Sequence, residues 1–152
     1  MATNETLRKV DQNGMKVGQA VTILLLIAAF VLNSWVLVAF VAVAQLLGAL
    51  DVPFAPYRLF YQNVVKAAGW VKPNIITDNP EPHRFAMLVG ALFNGVAAVA
   101  LLAEVTVVGW VLVGIVLVLA NLNFWLNFCA GCWMYYQLNR LGIKGFTRSP
   151  IA

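Results

Sequence analysis

The sequence predicts an all-α integral membrane protein: four transmembrane helices as two parallel-repeat hairpins, with an amphipathic interfacial helix between the halves. Three observations carry this prediction. Of the 152 residues, 62% are hydrophobic and only 11% charged, too little polar surface to clothe a soluble domain. The apolar residues gather into four runs close to the length of about 17 to 25 residues that a hydrocarbon core roughly 30 Å thick requires. The ten lysines and arginines all flank the runs on one side, and the two hairpin tips carry none.

The elements follow in order. Met1 to Lys16 is polar, and Asp11, Asn13 and Gly14 supply cap and turn chemistry before span one, Val17 to Leu32. No small-residue cleavage site follows that span, so it is expected to stay in the mature chain. Asn33 and Ser34 break the run, and Trp35 to Leu50 forms span two, short for a full crossing. From Pro53 to Lys72 the period is helical: Tyr57, Phe60 or Tyr61, Val64, Ala68 and Val71 mark one face, and Arg58, Gln62 and Lys66 mark another. This segment reads either as a helix on the inner leaflet, with Trp70 and the tyrosines at headgroup depth, or as a surface helix packed on the bundle. A proline-broken connector, KPNIITDNPEPHR, follows, in which Asp78 or Asn79 can cap and Pro80 or Pro82 can enter the first turn. Span three runs from about Arg84 to Ala103, Glu104 marks the turn, and span four runs from Val107 past Phe128 into the cysteines.

Charge placement orients the chain. Arg8, Lys9 and Lys16 precede span one, Arg58, Lys66, Lys72 and Arg84 lie between spans two and three, and Arg140, Lys144 and Arg148 follow span four. By the positive-inside rule both termini are expected in the cytoplasm of a bacterial inner membrane. The net charge of +4 accompanies no DNA-binding motif and no cluster of stacking aromatics, which argues against nucleic acid. Internal similarity adds a duplication. VDQNG at residues 10–14 parallels TDNPE at 77–81, and LFYQ at 59–62 parallels MYYQ at 134–137. One membrane domain of two units is expected, residues 10–72 and 77–142, the copies related by an axis along the membrane normal.

The chemistry concentrates in the second unit. Cys129 and Cys132, the only cysteines, stand as Cys-Ala-Gly-Cys. On a helix, i and i+3 share a face, and Gly131 eases any backbone adjustment that a bond between them would need. The pair suits dithiol exchange, sulfane-sulfur relay or a soft metal, and cysteine is also small enough that the two could only pack. A structural disulfide is not expected on a cytosolic face. Placed toward the C-terminal part of span four, the thiols would face the wrong end of the helix dipole and need a cation, Arg84, Arg58 or Arg140, to ionise. His83, the lone histidine, could move protons during thiol exchange. It could equally be a third zinc ligand beside Cys129 and Cys132, with Asp78 or Glu81 completing the set, or an ordinary exposed histidine in a helix's first turn. One histidine and no attachment motif argue against haem. Gln45, Asn94, Asn121, Asn123 and Asn127 are expected to turn inward and bond across helices. No acidic residue lies deep in a span, which disfavours a carboxylate proton relay. Nothing matches a phosphate loop, a serine triad or paired catalytic carboxylates.

The motifs DNPEPHRFA at 78–86 and NFCAGCWMYYQL at 127–138, with VPFAPYRLFYQ at 52–62 between the halves, are similar to those of a family of small bacterial membrane proteins. The chain resembles domain-of-unknown-function family four-three-nine-five from about Val10 to Gly142. The resemblance carries over onto Asp78, Pro82, His83, Arg84, Phe85, Cys129, Gly131, Cys132 and Tyr136. It implies no established activity. Family members look like neighbours of sulfurtransferase and thioredoxin-like genes, which implies sulfur or dithiol traffic with a cytosolic protein. The expected function is therefore a thiol-disulfide or sulfane-sulfur relay through Cys129 and Cys132, aided by His83 and Arg84, with a quinone as a candidate electron acceptor. The competing reading is a non-catalytic scaffold or small-solute permease in which the cysteines only pack.

Overall fold

The computed structural model describes residues 8–78 and 81–143. The chain runs β1 (Arg8–Asp11), α1 (Gln12–Val31), α2 (Trp35–Ala49), α3 (Pro56–Phe60) with a π-helical turn (Tyr61–Val65), β2 (Ile75–Asp78), α4 (Glu81–Leu102), α5 (Thr106–Leu126) and α6 (Ala130–Arg140). Three helices, α1, α4 and α5, are long and apolar enough to cross a bilayer. Helix α2 is apolar but has 15 residues, about 22 Å of rise. Large apolar side chains such as Leu24, Phe30, Val36, Leu92, Val107 and Val118 point outward, the arrangement a lipid solvent rewards. Asn33 and Glu104 close the two helical turns with positive φ of 48° and 62°.

The core is made of small and β-branched residues. Leu26 and Ala29 of α1, Val38 and Val41 of α2, Ala97 and Ala98 of α4, and Val113 and Val116 of α5 form one buried cluster. Alanines at these positions let backbones approach, which is how helices gain dispersion energy where lipid offers no hydrophobic drive. Helix α4 is central, packing on α2, α5 and α6. One amide pair joins it to α2: Asn94 Nδ2 donates to Gln45 Oε1 at 2.9 Å in a buried position. Gly90 makes room for this pair, since a Cβ there would lie 3.1 Å from the Gln45 amide atoms. The inward-turning expectation is met at Gln45 and Asn94. Asn121 instead donates to the Leu117 carbonyl of its own helix at 2.8 Å.

Two features depart from the sequence reading. Residues 8–11 and 75–78 form an antiparallel ladder, with Lys9 opposite Thr77 and Asp11 opposite Ile75. Four-residue strands are too short to show a period, and this ladder pairs residues 64 to 70 positions apart. The segment after α2 is helical over a shorter stretch than Pro53 to Lys72, running as α3 directly into the π-helical turn, and its tyrosines turn toward α1, as expected of a surface helix packed on the bundle. Tyr57 OH lies 2.9 Å from the Thr22 hydroxyl, and Tyr61 OH donates to Asp11 Oδ2.

Asp11 ties these pieces together. It caps α1, accepting from the backbone amides of Asn13 at 3.1 Å and Gly14 at 3.4 Å, and it accepts from the Asn74 amide at 3.1 Å. Burial works to raise its carboxyl, but the bonds from Tyr61, Asn74, Gly14 and Asn13 outweigh it and hold the group below its ordinary 3.8. Burial and the Asp11 carboxylate together push the Tyr61 hydroxyl up to about 12. The ladder, α3 and the starts of α1 and α4 thus gather at one end of the bundle.

Two predictions follow from this packing. Loss of the cap in Asp11→Ala lowers stability by about 1–2 kcal/mol. With its folded value depressed, Asp11 stabilises fully above pH 3.8 and less as pH falls through the folded value, whereas Tyr61 stabilises fully below pH 10.0 and less as pH rises toward about 12. Thermal unfolding in detergent across pH should therefore weaken at both extremes in the wild type and lose most of its acid limb in Asp11→Asn. For the amide pair, Asn94→Leu alone should cost about 0.6–1.7 kcal/mol. Adding Gln45→Leu should recover part of it, measured by the same melts in a double-mutant cycle.

Candidate thiol site

Helix α5 ends where the backbone turns left-handed. Asn127 has φ 53° and ψ 24°, its N–H reaches back to the Leu122 carbonyl, and the helix does not continue. Asparagine is one of the few residues that enters this region at low cost. Two residues later Cys129, extended at φ −89° and ψ 99°, caps the new helix α6, its Sγ accepting from the Cys132 amide at 3.2 Å. The expectation that the cysteines continue span four is thereby corrected. They open a helix, and Cys129 stands at the positive end of the α6 dipole rather than at the negative end of α5.

Cys129 and Cys132 are joined as a disulfide, their Cα atoms 5.2 Å apart. Cys132 is buried at 8% exposure, while Cys129 is partly open. The dock that buries Cys132 rests on Gly131: a Cβ there would lie 2.7 Å from Ala86 Cα on α4. Only a residue without a side chain lets the first turn of α6 approach α4 this closely. The consequence is a short reach from α4 to the sulfur, His83 Nδ1 lying 3.5 Å from Cys132 Sγ. His83 stands in the first turn of α4, after Glu81 and Pro82. One turn beyond Cys132, Tyr135 OH donates to Glu81 Oε2 at 2.7 Å and its ring packs against Phe85, centroids 5.7 Å apart.

The structure brings Cys129, Cys132 and His83 together, their ligand atoms all within 4.8 Å of one another, and sets Glu81 beside them through Tyr135. It engages Arg84 and Arg58 elsewhere, and Arg140 lies in the last turn of α6. Arg84 Nε donates at 2.8 Å to the carbonyl of Ala49, the last residue of α2, where a cation suits the negative end of the helix. Arg58 faces Asp51 at 3.6 Å with both side chains half exposed, a pairing worth little in water. Tyr136 packs edge-on against Tyr135. The backbone of Asp78 ends β2, and its side chain lies outside the described part of the chain, as do Asn79 and Pro80. Tyr135 is the participant the sequence reading passed over. Its position three residues after Cys132, on the same face of α6, was the available signal.

A polytopic helical protein with a helix-capping Cys-X-X-Cys beside an imidazole is thus what the fold and the site define. A family model described as a domain of unknown function, DUF4395, matches residues 10–140, and the chain belongs to that family. Comparison with curated proteins and comparison with solved structures each found no match.

Gly131→Ala should lift α6 off α4, at a cost of about 1–3 kcal/mol for the overpacked contact, and Ala86→Gly in the same chain should recover part of it. Thermal unfolding measures the cost. Faster alkylation of Cys132 in the reduced variant would report the opened dock.

Proposed function

We propose that this chain is a membrane-bound thiol–disulfide exchange protein, with Cys129 as the sulfur that partners attack and Cys132 as the resolving sulfur. The observation that carries the reading is the asymmetry of the pair. Cys129 is the more open residue and its Sγ accepts the Cys132 amide at a helix start, whereas Cys132 is a buried residue beside His83. A thiolate from a dithiol partner attacks Cys129 Sγ, the Cys129–Cys132 bond breaks, and Cys132 leaves as a thiolate. His83 Nδ1 is placed to hand that sulfur a proton. The partner's second thiol then displaces Cys129, which departs as a thiolate favoured by the helix dipole. Two electrons pass from partner to protein, and the partner ends as a disulfide.

We place the site on the cytoplasmic face of a bacterial inner membrane, with four crossings and both termini inside. The one-sided distribution of positive charge supports this, as does the gathering of Asp11, Tyr61, Arg84 and the cysteines at one end of the bundle. The partner is then a cytosolic thioredoxin-like or sulfurtransferase protein. We also read the chain as a duplicated unit: a short strand, two long helices and a short helix occur twice in order. Left-handed residues recur after the first helix, at Asn33 and Glu104, and after the second, at Asp51 and Asn127.

Three variants test the reading. In cells, Cys132→Ser should accumulate a mixed disulfide with a cytosolic dithiol protein, and Cys129→Ser should accumulate none. With purified oxidised protein and a small dithiol, His83→Ala should slow exchange by about 10²-fold. Equal adducts from both serine variants, or labelling of Cys129 by an impermeant reagent from outside the cell, would refute it.

A further inference from the structure

The structure assigns a second state to the same three residues: once reduced, Cys129, Cys132 and His83 form a binding site for one thiophilic d10 cation, Zn²⁺ or Cu⁺. Dithiol exchange is not required for it, since it needs only the reduced pair.

Thiolate and imidazole bound to one tetrahedral zinc, with bonds of about 2.3 and 2.0–2.1 Å, stand about 3.5 Å apart. His83 Nδ1 already lies 3.5 Å from Cys132 Sγ, so this edge of the polyhedron needs no rebuilding. The edge between the two sulfurs must open to about 3.8 Å, a movement open to Cys129 by rotation about its Cα–Cβ bond because that residue is partly open and precedes the helix. The Cys132 amide, donating to Cys129 Sγ at 3.2 Å, would offset thiolate charge in the bound state just as it does in the free one. The two ligand-bearing segments are fixed to each other by the Gly131–Ala86 contact and by the bond from Tyr135 to Glu81. Such an outer support is what gives a metal site its affinity. Three protein donors leave a fourth position for water on zinc, whereas copper(I) accepts three-coordination.

Disulfide and metal exclude one another. Reduction by a dithiol or a phosphine supplies two electrons and, with two protons, yields two thiols; the cation then displaces both protons and binds two thiolates. Capture of the metal therefore withdraws the pair from exchange, and oxidation releases the ion.

The test uses the full chain in detergent, reduced with a phosphine, desalted, and titrated separately with Zn²⁺ and with Cu⁺ against a chromophoric chelator. Expected is one ion per chain for at least one of the two metals. Affinity should fall in His83→Ala and His83→Gln by no less than the roughly 10- to 100-fold that loss of a ligand's outer partner costs, and more in Cys129→Ser and Cys132→Ser. The oxidised wild type, which carries no mutation to unfold it, should bind none. The site is overturned if reduced wild type binds neither ion more tightly than the Cys129→Ser, Cys132→Ser double variant, or if both His83 variants keep wild-type affinity. Disulfide exchange measured on the metal-free protein is a separate readout, so loss of the metal site and loss of the exchange reading are told apart.

Discussion

The left-handed turn at Asn127 is the constraint on which the site depends. Had α5 run on through residue 128, both sulfurs would lie along a helix whose negative end faces them, with their amides consumed by the helix ladder. By stopping the helix, Asn127 frees Cys129 to become a cap and gives its sulfur the Cys132 amide. The same turn redirects α6 back across α4, where Gly131 meets Ala86. Backbone chirality at one residue therefore decides which sulfur is open, which is buried, and what imidazole the buried one meets.

The rest of that end of the bundle follows a single demand of a lipid solvent, that polar groups find partners within the protein. Asp11 answers it for the start of α1, taking two hydrogen bonds from the first turn of that helix and two from Tyr61 and Asn74, which are distant in sequence. Arg84 answers it for the end of α2 at the Ala49 carbonyl, and Asn94 Nδ2 and Gln45 Oε1 answer it for each other within the bundle, while Asn94 Oδ1 stays buried without a hydrogen-bond partner among the described residues. In the same way Glu81, at the start of α4, takes the Tyr135 hydroxyl. The polar residues around the cysteines are thus largely scaffold, and His83 is a side chain among the described residues that meets sulfur directly.

What could be read from the chain beforehand divides along physical lines. Hydropathy runs, the Asp11 cap, the turns at Asn33 and Glu104, and Pro82 in a first helical turn were legible because each is a local rule about one segment. The grouping of Cys129, Cys132 and His83 was partly legible, since no other residues in the chain carry that chemistry. The role of the arginines was not. Arg84 follows His83 directly in sequence, yet on a helix neighbours diverge by about 100°, and the side chain goes to α2.

The sequence by itself determined a helical membrane protein with one thiol pair and one imidazole, because composition and periodicity act without knowledge of partners. Only the tertiary structure decided that the pair opens a helix, that strands β1 and β2 meet, and that Cys132 rather than Cys129 faces His83. Each of those is an encounter between segments far apart along the chain, governed by how closely backbones can approach. That distance is set by a glycine opposite an alanine, and a single residue's lack of a side chain has no meaning until its neighbour in space is known.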